Sequence, residues 1–208
     1  MSVLFDNAIA SISLGVEDYA RREGHRAQSA IRNFYFGVLL LAKELLAREA
    51  PGVAIEDILA ERYRPEPDGK GGIKHVPVGT ETVDFHTLGE RFNHFSLPLD
   101  TKALDALNRI RNEIEHKFTT EMTDAVREAI ARAFPVVAAM FRLLGMSPAE
   151  VLGETWQQML ETRPICVGGA SPVHLFRGKS SSKIKQCLNA VFWPNSWGRI
   201  YSRAVWRS

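Results

Sequence analysis

A short stretch, RIRNEIEHKF at residues 109–118, carries three polar side chains whose types suit chemistry on a phosphodiester. Arg111 has a planar, permanently charged fork that matches phosphate oxygens. His116 titrates near neutral pH and can take up or release a proton. Asn112, one turn before His116, can orient the imidazole or the substrate. Such a set could cleave RNA without a metal, because the histidine can move the proton of a 2′-hydroxyl while the arginine stabilises charge on the phosphorane.

The apolar residues around this set predict one amphipathic helix over residues 101–118, with Asp100 or Thr101 as its N-cap. At about 100° per residue, Arg111 falls roughly 40° from the centre of the core-facing stripe, and His116 lies roughly 140° from Arg111. One straight helix therefore does not bring the two side chains face to face, whereas two copies meeting across a two-fold axis can do so. The stripe consists of Leu104, Leu107, Ile110, Ile114 and Phe118.

A purely structural role would explain the same residues. Arg111 can pair with Glu115, and Glu113 can pair with Lys117, each pair stabilising the helix by roughly a few tenths of a kcal/mol. His116 stands in the last turn, where a cationic side chain interacts well with the negative end of the helix dipole. The spacing alone leaves both interpretations open.

Hydrophobic periodicity in the first 161 residues predicts an all-α fold, a bundle of about four to six helices. Residues 64–80 contain three prolines and four glycines, which predicts a loop, with a small hairpin between Ile73 and Phe85. A turn or two of helix is expected before Pro98. The longer predicted helices cover residues 2–23, 27–50, 101–118, 121–144 and 147–161, and a short helical piece is predicted over residues 54–63.

Two further signals concern the ends of these helices. Pro135 predicts a kink in the helix over residues 121–144, because proline removes one backbone hydrogen bond. Ser147, Pro148 and Glu150 form a strong start signal for the last helix, with Ser147 as its N-cap.

The charge of the chain changes abruptly near Glu161. Residues 1–161 hold 18 Lys and Arg against 24 Asp and Glu, a net charge of −6, whereas residues 162–208 hold eight Lys and Arg and no acid, a net charge of +8. We therefore expect a helical domain over residues 1–161 and a separate basic, aromatic-containing tail over residues 162–208. The tail is predicted to be poorly ordered. It fits either a non-native sequence from a shifted reading frame or a segment that binds RNA or a partner by charge and stacking.

Several classes of site find no support in the sequence. The longest apolar run, residues 34–42, is far shorter than the roughly 20 residues of a membrane span, and no secretory signal is recognisable, so we expect a cytoplasmic protein without a membrane partner.

The two cysteines, Cys166 and Cys187, are expected to be reduced thiols. His86 and His94 could share one helix face, but no ligand set completes them, and no glycine-rich phosphate loop is present. We expect neither a metal nor a cofactor.

A second polar group stands at the start of the buried helix: Arg26, Ser29, Arg32 and Asn33. These residues could line a groove for RNA phosphates or a dimer cleft. Alternatively, they could pair with acids of the first helix such as Glu17 and Asp18.

Two stretches resemble the HEPN (higher eukaryotes and prokaryotes nucleotide-binding) superfamily. LDALNRIRNEIEHKF is similar to its signature helix, which carries an Arg and a His separated by four to six residues, the first of which is polar and often Asn. Arg111, Asn112 and His116 match these elements. SAIRNFYFGVLLLAKELL resembles the second, buried helix of such proteins. The resemblance covers roughly residues 2–145.

This resemblance implies a helical-bundle homodimer with a composite, metal-independent ribonuclease site, often a toxin or defence protein that cleaves RNA and is controlled by an antitoxin. In one branch of the family, a small nucleotidyltransferase antitoxin modifies a Tyr two residues past the motif His. Phe118 stands at that position here, so this control is not expected. Other members are catalytically silent domains for RNA or protein binding and dimerisation, which is the alternative function. A third possibility is a helical partner whose substrate binds elsewhere.

Overall fold

The computed structural model describes residues 2–21, 23–116 and 122–162, and all of these belong to one unit, Met1–Pro164. The described part contains eight α-helices, a 3-10 turn at Gly24–Arg26 and a two-stranded hairpin. The predicted helical fold with a small hairpin is confirmed. The elements are α1 (Val3–Ala20), α2 (Ala27–Glu49), α3 (Ile55–Leu59), β1 (Tyr63–Pro67), β2 (Ile73–Pro77), α4 (Phe85–His94), α5 (Thr101–His116), α6 (Met122–Leu143), α7 (Pro148–Leu152) and α8 (Glu154–Glu161).

The number of helices exceeds the expected four to six, partly because the predicted last helix is divided. Gly153 has a φ of +52°, a backbone conformation that favours glycine, and it separates α7 from α8. Ser147 caps α7 as predicted, since its hydroxyl accepts the backbone N–H of Glu150. α6 continues through Pro135 as one helix from Met122 to Leu143.

α1 and α2 cross so closely that two glycines leave no room for a side chain. A Cβ atom built on Gly15 would lie 2.5 Å from the backbone nitrogen of Phe34, and one built on Gly37 would lie 2.6 Å from the backbone nitrogen of Ile12. Glycine permits this approach because it has no Cβ. The crossing therefore depends on these two residues.

The hydrophobic core forms around α2, which contacts α1, α3, α4, α5 and α6. The middle of α2, from Val38 to Leu46, is buried almost throughout. The apolar run over residues 34–42 predicts a helix that is buried on most faces, and within this run Phe36 is exposed while Tyr35 and Leu39 are partly buried. Aromatic pairs join the outer helices to the core. Phe5 of α1 meets Phe141 of α6 edge-on at 6.3 Å, and Phe134 of α6 stacks on Trp156 of α8 at 4.5 Å.

The hairpin lies earlier in the chain than predicted, with β1 inside the segment expected to be a loop. Antiparallel pairing joins Tyr63 to Pro77 and Pro67 to Ile73. The backbone N–H of Val78 donates to the carbonyl oxygen of Arg62 at 3.0 Å, and that of Asp68 donates to the carbonyl oxygen of Gly72 at 3.1 Å. In an antiparallel ladder, facing residues alternate between hydrogen-bonded and non-hydrogen-bonded pairs, so these two bonds determine the type of every pair between them. Every proline of the two strands lies in a pair whose facing residues are not hydrogen-bonded to each other; these are Pro65, Pro67 and Pro77. They cost the ladder no hydrogen bond, which is why a proline-rich segment forms strands here.

Two adjacent charged residues of α2 are buried, and both have partners. The Lys43 ammonium donates to the Thr82 hydroxyl at 2.7 Å, and burial lowers the pKa of Lys43. Glu44 accepts the Ser2 hydroxyl at 2.5 Å and the Arg48 Nε–H at 2.7 Å. These bonds attach the start of α1 and the segment before α4 to the central helix.

The sequence predictions for two segments, including those for Cys166 and Cys187, fall on residues outside the described part of the chain. The basic tail is one of them, apart from Thr162, which follows α8 as a helix C-cap. The other is the end of the motif helix, since α5 is described to His116 and residues 117–121 are not.

Replacing Gly15 by Ala should destabilise the fold. Alanine favours helix by up to about 1 kcal/mol over glycine, but the new methyl group meets the backbone of α2, and such overpacking costs about 1–3 kcal/mol or more. Urea denaturation should therefore show a lower free energy of unfolding for Gly15→Ala. The neighbouring exposed variant Leu14→Ala is the control, with a change within about 0.5 kcal/mol. Equal or higher stability of Gly15→Ala would contradict the close crossing.

Candidate functional site

Helix α5 carries the three residues singled out by the sequence. The Asp100 carboxylate accepts the backbone N–H of Lys102 at 3.1 Å, so this predicted N-cap residue holds the first turn. Leu104, Leu107 and Ile110 are buried and face the core, as the apolar stripe predicts. The motif therefore lies on a helix whose orientation is fixed by packing.

Arg111 and Asn112 are brought together at the surface of α5. Arg111 is partly buried and Asn112 is exposed, and one terminal N–H of the guanidinium donates to Asn112 Oδ1 at 2.9 Å. This contact between consecutive residues directs the guanidinium toward the amide. A cationic fork and a neutral amide side by side can both contact the oxygens of a phosphate.

Tyr35 of α2 also contacts Arg111, and sequence reasoning did not single it out. The guanidinium carbon lies 5.3 Å from the centroid of the Tyr35 ring, within the range of a cation–π contact. The Tyr35 hydroxyl donates to Asn108 Oδ1 at 3.2 Å, and Asn108 stands one turn before Arg111 on α5. The sequence held one signal for this contact, a phenolic side chain inside an otherwise apolar run.

His116 is the last residue of α5, and the structure describes its backbone but not its side chain. The described backbone places Arg111 and His116 on one continuous helix. Five residues of α-helix separate them by about 7.5 Å along the axis and roughly 140° around it. The Arg111–Asn112 contact is therefore described at side-chain level, whereas the third member of the motif is located by its helix position.

The second polar group predicted by the sequence forms a network around Asp18 of α1. Arg26 donates to one carboxylate oxygen at 2.8 Å, and Ser29 donates to the other at 2.6 Å. Asn33 donates to the Ser29 hydroxyl at 3.1 Å and reaches Asp18 at 3.5 Å. Pairing with an acid of the first helix is the interpretation that this geometry supports. The fourth member, Arg32, is exposed on α2.

The network changes the acidity of Asp18, whose side chain is only 6% exposed. The hydrogen bond from Ser29 is the main influence, and it holds the pKa of Asp18 below its ordinary value, while burial acts in the opposite direction. The hydrogen bond and charge of Arg26 lower this pKa further. The ionised carboxylate therefore stabilises the junction between α1 and α2.

Asp18→Asn should lower the free energy of unfolding at neutral pH by about 1–3 kcal/mol, because it removes the negative charge and replaces one of the two acceptor oxygens with an NH2 group, which cannot accept from Arg26 or Ser29. A carboxyl group whose pKa is lowered in the folded state stabilises the protein above its unfolded pKa of about 3.9, and this contribution disappears as the pH falls through the folded pKa. Denaturation of both proteins between neutral and acid pH should show converging stabilities. Glu17→Gln, at an exposed acid next to Asp18, should differ little from wild type at any pH.

Neither a spanning helix nor a metal cluster is found in the described ranges: no helix there is long and apolar enough to cross a membrane, and no three His, Cys, Asp or Glu residues group as metal ligands would. Comparison with protein-family models, curated proteins and solved structures finds no match for this chain.

Proposed function

We propose that this protein is a HEPN-type, metal-independent endoribonuclease that uses Arg111, Asn112 and His116. The observation that carries the proposal is the hydrogen bond of 2.9 Å from the Arg111 guanidinium to Asn112 Oδ1 at the surface of α5. Arg111 stands five residues before His116 on the same helix. The types and order of these residues are those of the HEPN motif. A helical fold with the motif on a late helix agrees with the proposal.

The proposed reaction uses the 2′-hydroxyl of RNA as its nucleophile. The His116 imidazole accepts the 2′-hydroxyl proton while the 2′-oxygen attacks the adjacent phosphorus, and the bond from phosphorus to the 5′-oxygen breaks. The leaving 5′-oxygen takes up a proton. Arg111 neutralises the additional charge on the phosphorane oxygens, and Asn112 positions either the phosphate or the imidazole. The products are a 2′,3′-cyclic phosphate and a 5′-hydroxyl.

We further propose that two copies of the chain build each site. Arg111 and His116 stand roughly 140° apart around the axis of α5, so a phosphate bound by Arg111 does not face His116 of the same helix. A two-fold axis beside α5 would pair Arg111 of one copy with His116 of the other. The resemblance further suggests that such a dimer acts as a toxin or defence protein, with an antitoxin as its partner and a cytoplasmic location.

A second candidate function is a catalytically silent HEPN-like domain that binds RNA or protein. The observation in its favour is that the Arg111 guanidinium already contacts Asn112 and the Tyr35 ring, so it contributes to the packing of α5 on α2. Such a domain would bind RNA by charge without cutting it.

Purified protein should cleave single-stranded RNA in the presence of EDTA and leave 2′,3′-cyclic phosphate ends. His116→Ala should reduce the single-turnover rate by about 10²–10⁴-fold, the usual contribution of a general acid or base. Arg111→Ala should reduce it by roughly 10²–10³-fold, because a positioned donor to the developing charge is lost. End-group analysis and time courses with labelled RNA measure both effects.

Arg109→Ala is the matched control, because it removes an exposed arginine from the same helix two residues away. It should keep a near-normal rate at saturating RNA. Cleavage that persists in folded His116→Ala would reject the ribonuclease assignment. Unchanged RNA with wild type and variants alike, together with binding that requires Arg111, would support the silent domain. Expression gives a rapid screen, since only an active nuclease should stop growth in a manner that depends on His116.

A further inference from the structure

The ring of Tyr35 lies against the guanidinium of Arg111 and is itself held from two other directions. Its edge-to-face partner is Phe85, the first residue of α4, at 4.9 Å and an interplanar angle of 79°. Phe85 is 1% exposed and belongs to the core. The hydroxyl of Tyr35 is bonded to Asn108. The orientation of the ring is therefore determined by α4 and α5 together as well as by its own helix.

A cation–π contact suits a guanidinium that must bind phosphate. The attraction acts between the positive charge and the ring, and it does not itself use any of the five N–H donors of the guanidinium. One of these donors reaches Asn112 at 2.9 Å, and the guanidinium carbon lies 5.3 Å from the centroid of the Tyr35 ring, so the amide and the ring both restrain the same group. An unsupported arginine side chain would distribute over many rotamers and lose entropy on binding phosphate.

We propose that Tyr35 is a positioning residue for the ribonuclease reaction, which orients Arg111 toward the scissile phosphate. This inference rests on the proposed function and adds a residue on α2, outside the motif helix. Asn108 contributes to the same positioning, because its amide oxygen accepts the Tyr35 hydroxyl and so holds the ring beside the turn of α5 that carries Arg111. The aromatic face does most of the positioning, and the hydroxyl restrains the ring.

Removing the ring should slow cleavage through Arg111. Tyr35→Leu should lower the single-turnover rate at saturating RNA by about three- to thirty-fold, the range that corresponds to a cation–π contact. Tyr35→Phe keeps the ring and should retain most of the rate. In an Arg111→Ala background, Tyr35→Leu should cause no further loss, because the group that it positions is already absent.

Tyr63→Leu is a matched control, since Arg91 lies 5.7 Å from the centroid of the Tyr63 ring and this pair is separate from the motif. It should leave the cleavage rate unchanged. Circular dichroism and thermal melting of every variant separate positioning from unfolding. A folded Tyr35→Leu that cleaves at the wild-type rate, or that loses as much activity in the Arg111→Ala background as in wild type, would overturn the inference.

A measurement without RNA distinguishes this inference from the proposed function. Nitrogen-15 relaxation of the Arg111 side-chain Nε–H should report an ordered guanidinium in wild type and in Tyr35→Phe, and a mobile one in Tyr35→Leu. Equal mobility in all three would overturn positioning by Tyr35 even in an active nuclease. An ordered Arg111 in a wild-type protein that cuts no RNA would reject the ribonuclease reaction and with it the role of Tyr35 in positioning Arg111 for that reaction, while leaving the ring as the support of the guanidinium.

Discussion

The close approach of α1 and α2 at Gly15 and Gly37 is the constraint on which the described structure depends. It fixes the position of α2, and α2 is the helix against which α3, α4, α5 and α6 pack. A larger residue at either glycine would separate the two helices, because the nearest atom in its way belongs to backbone that cannot rotate aside. The position of Tyr35, and through it the support of Arg111, follows from the same crossing.

Charged residues on these two helices hold the segments that surround the crossing. Asp18 binds Arg26 and Ser29 across the junction between α1 and α2, and Lys43 binds Thr82 ahead of α4. A buried charge is tolerated when its hydrogen bonds are satisfied, and each of these has a partner. The apolar crossing and the polar attachments are thus complementary. The glycine crossing sets the distance between α1 and α2, and the hydrogen bonds of Asp18 and Lys43 hold the segments beside these helices.

The elements that could be predicted from the sequence are those with a local cause. Apolar periodicity placed α2 and α5 within a few residues, and the hydroxyl of Ser147 marked the start of α7 correctly. The hairpin lies elsewhere than predicted because proline content indicates a loop, whereas strand register decides whether a proline costs a hydrogen bond. The break at Gly153 was missed because its positive φ is a property of the folded backbone.

The candidate site likewise contains one contact with a local cause, which the sequence could predict, and one that depends on packing, which it could not. Arg111 and Asn112 are neighbours in sequence, so their contact required only a helix. Tyr35 lies 76 positions before Arg111 in the chain, and only the packing of α2 on α5 brings their side chains together. Spacing also cannot tell whether Arg111 and His116 act within one chain, since helix geometry gives their separation but not what faces them.

Complementation between two inactive variants tests the central claim most directly. Arg111→Ala and His116→Ala chains carrying different affinity tags would be co-expressed, and the mixed dimer would be purified through both tags. A site built from Arg111 of one copy and His116 of the other predicts one intact site in each mixed dimer, and hence about half of the wild-type rate per dimer, while each pure variant remains inactive. A mixed dimer without activity, or no dimer at all, would contradict the account.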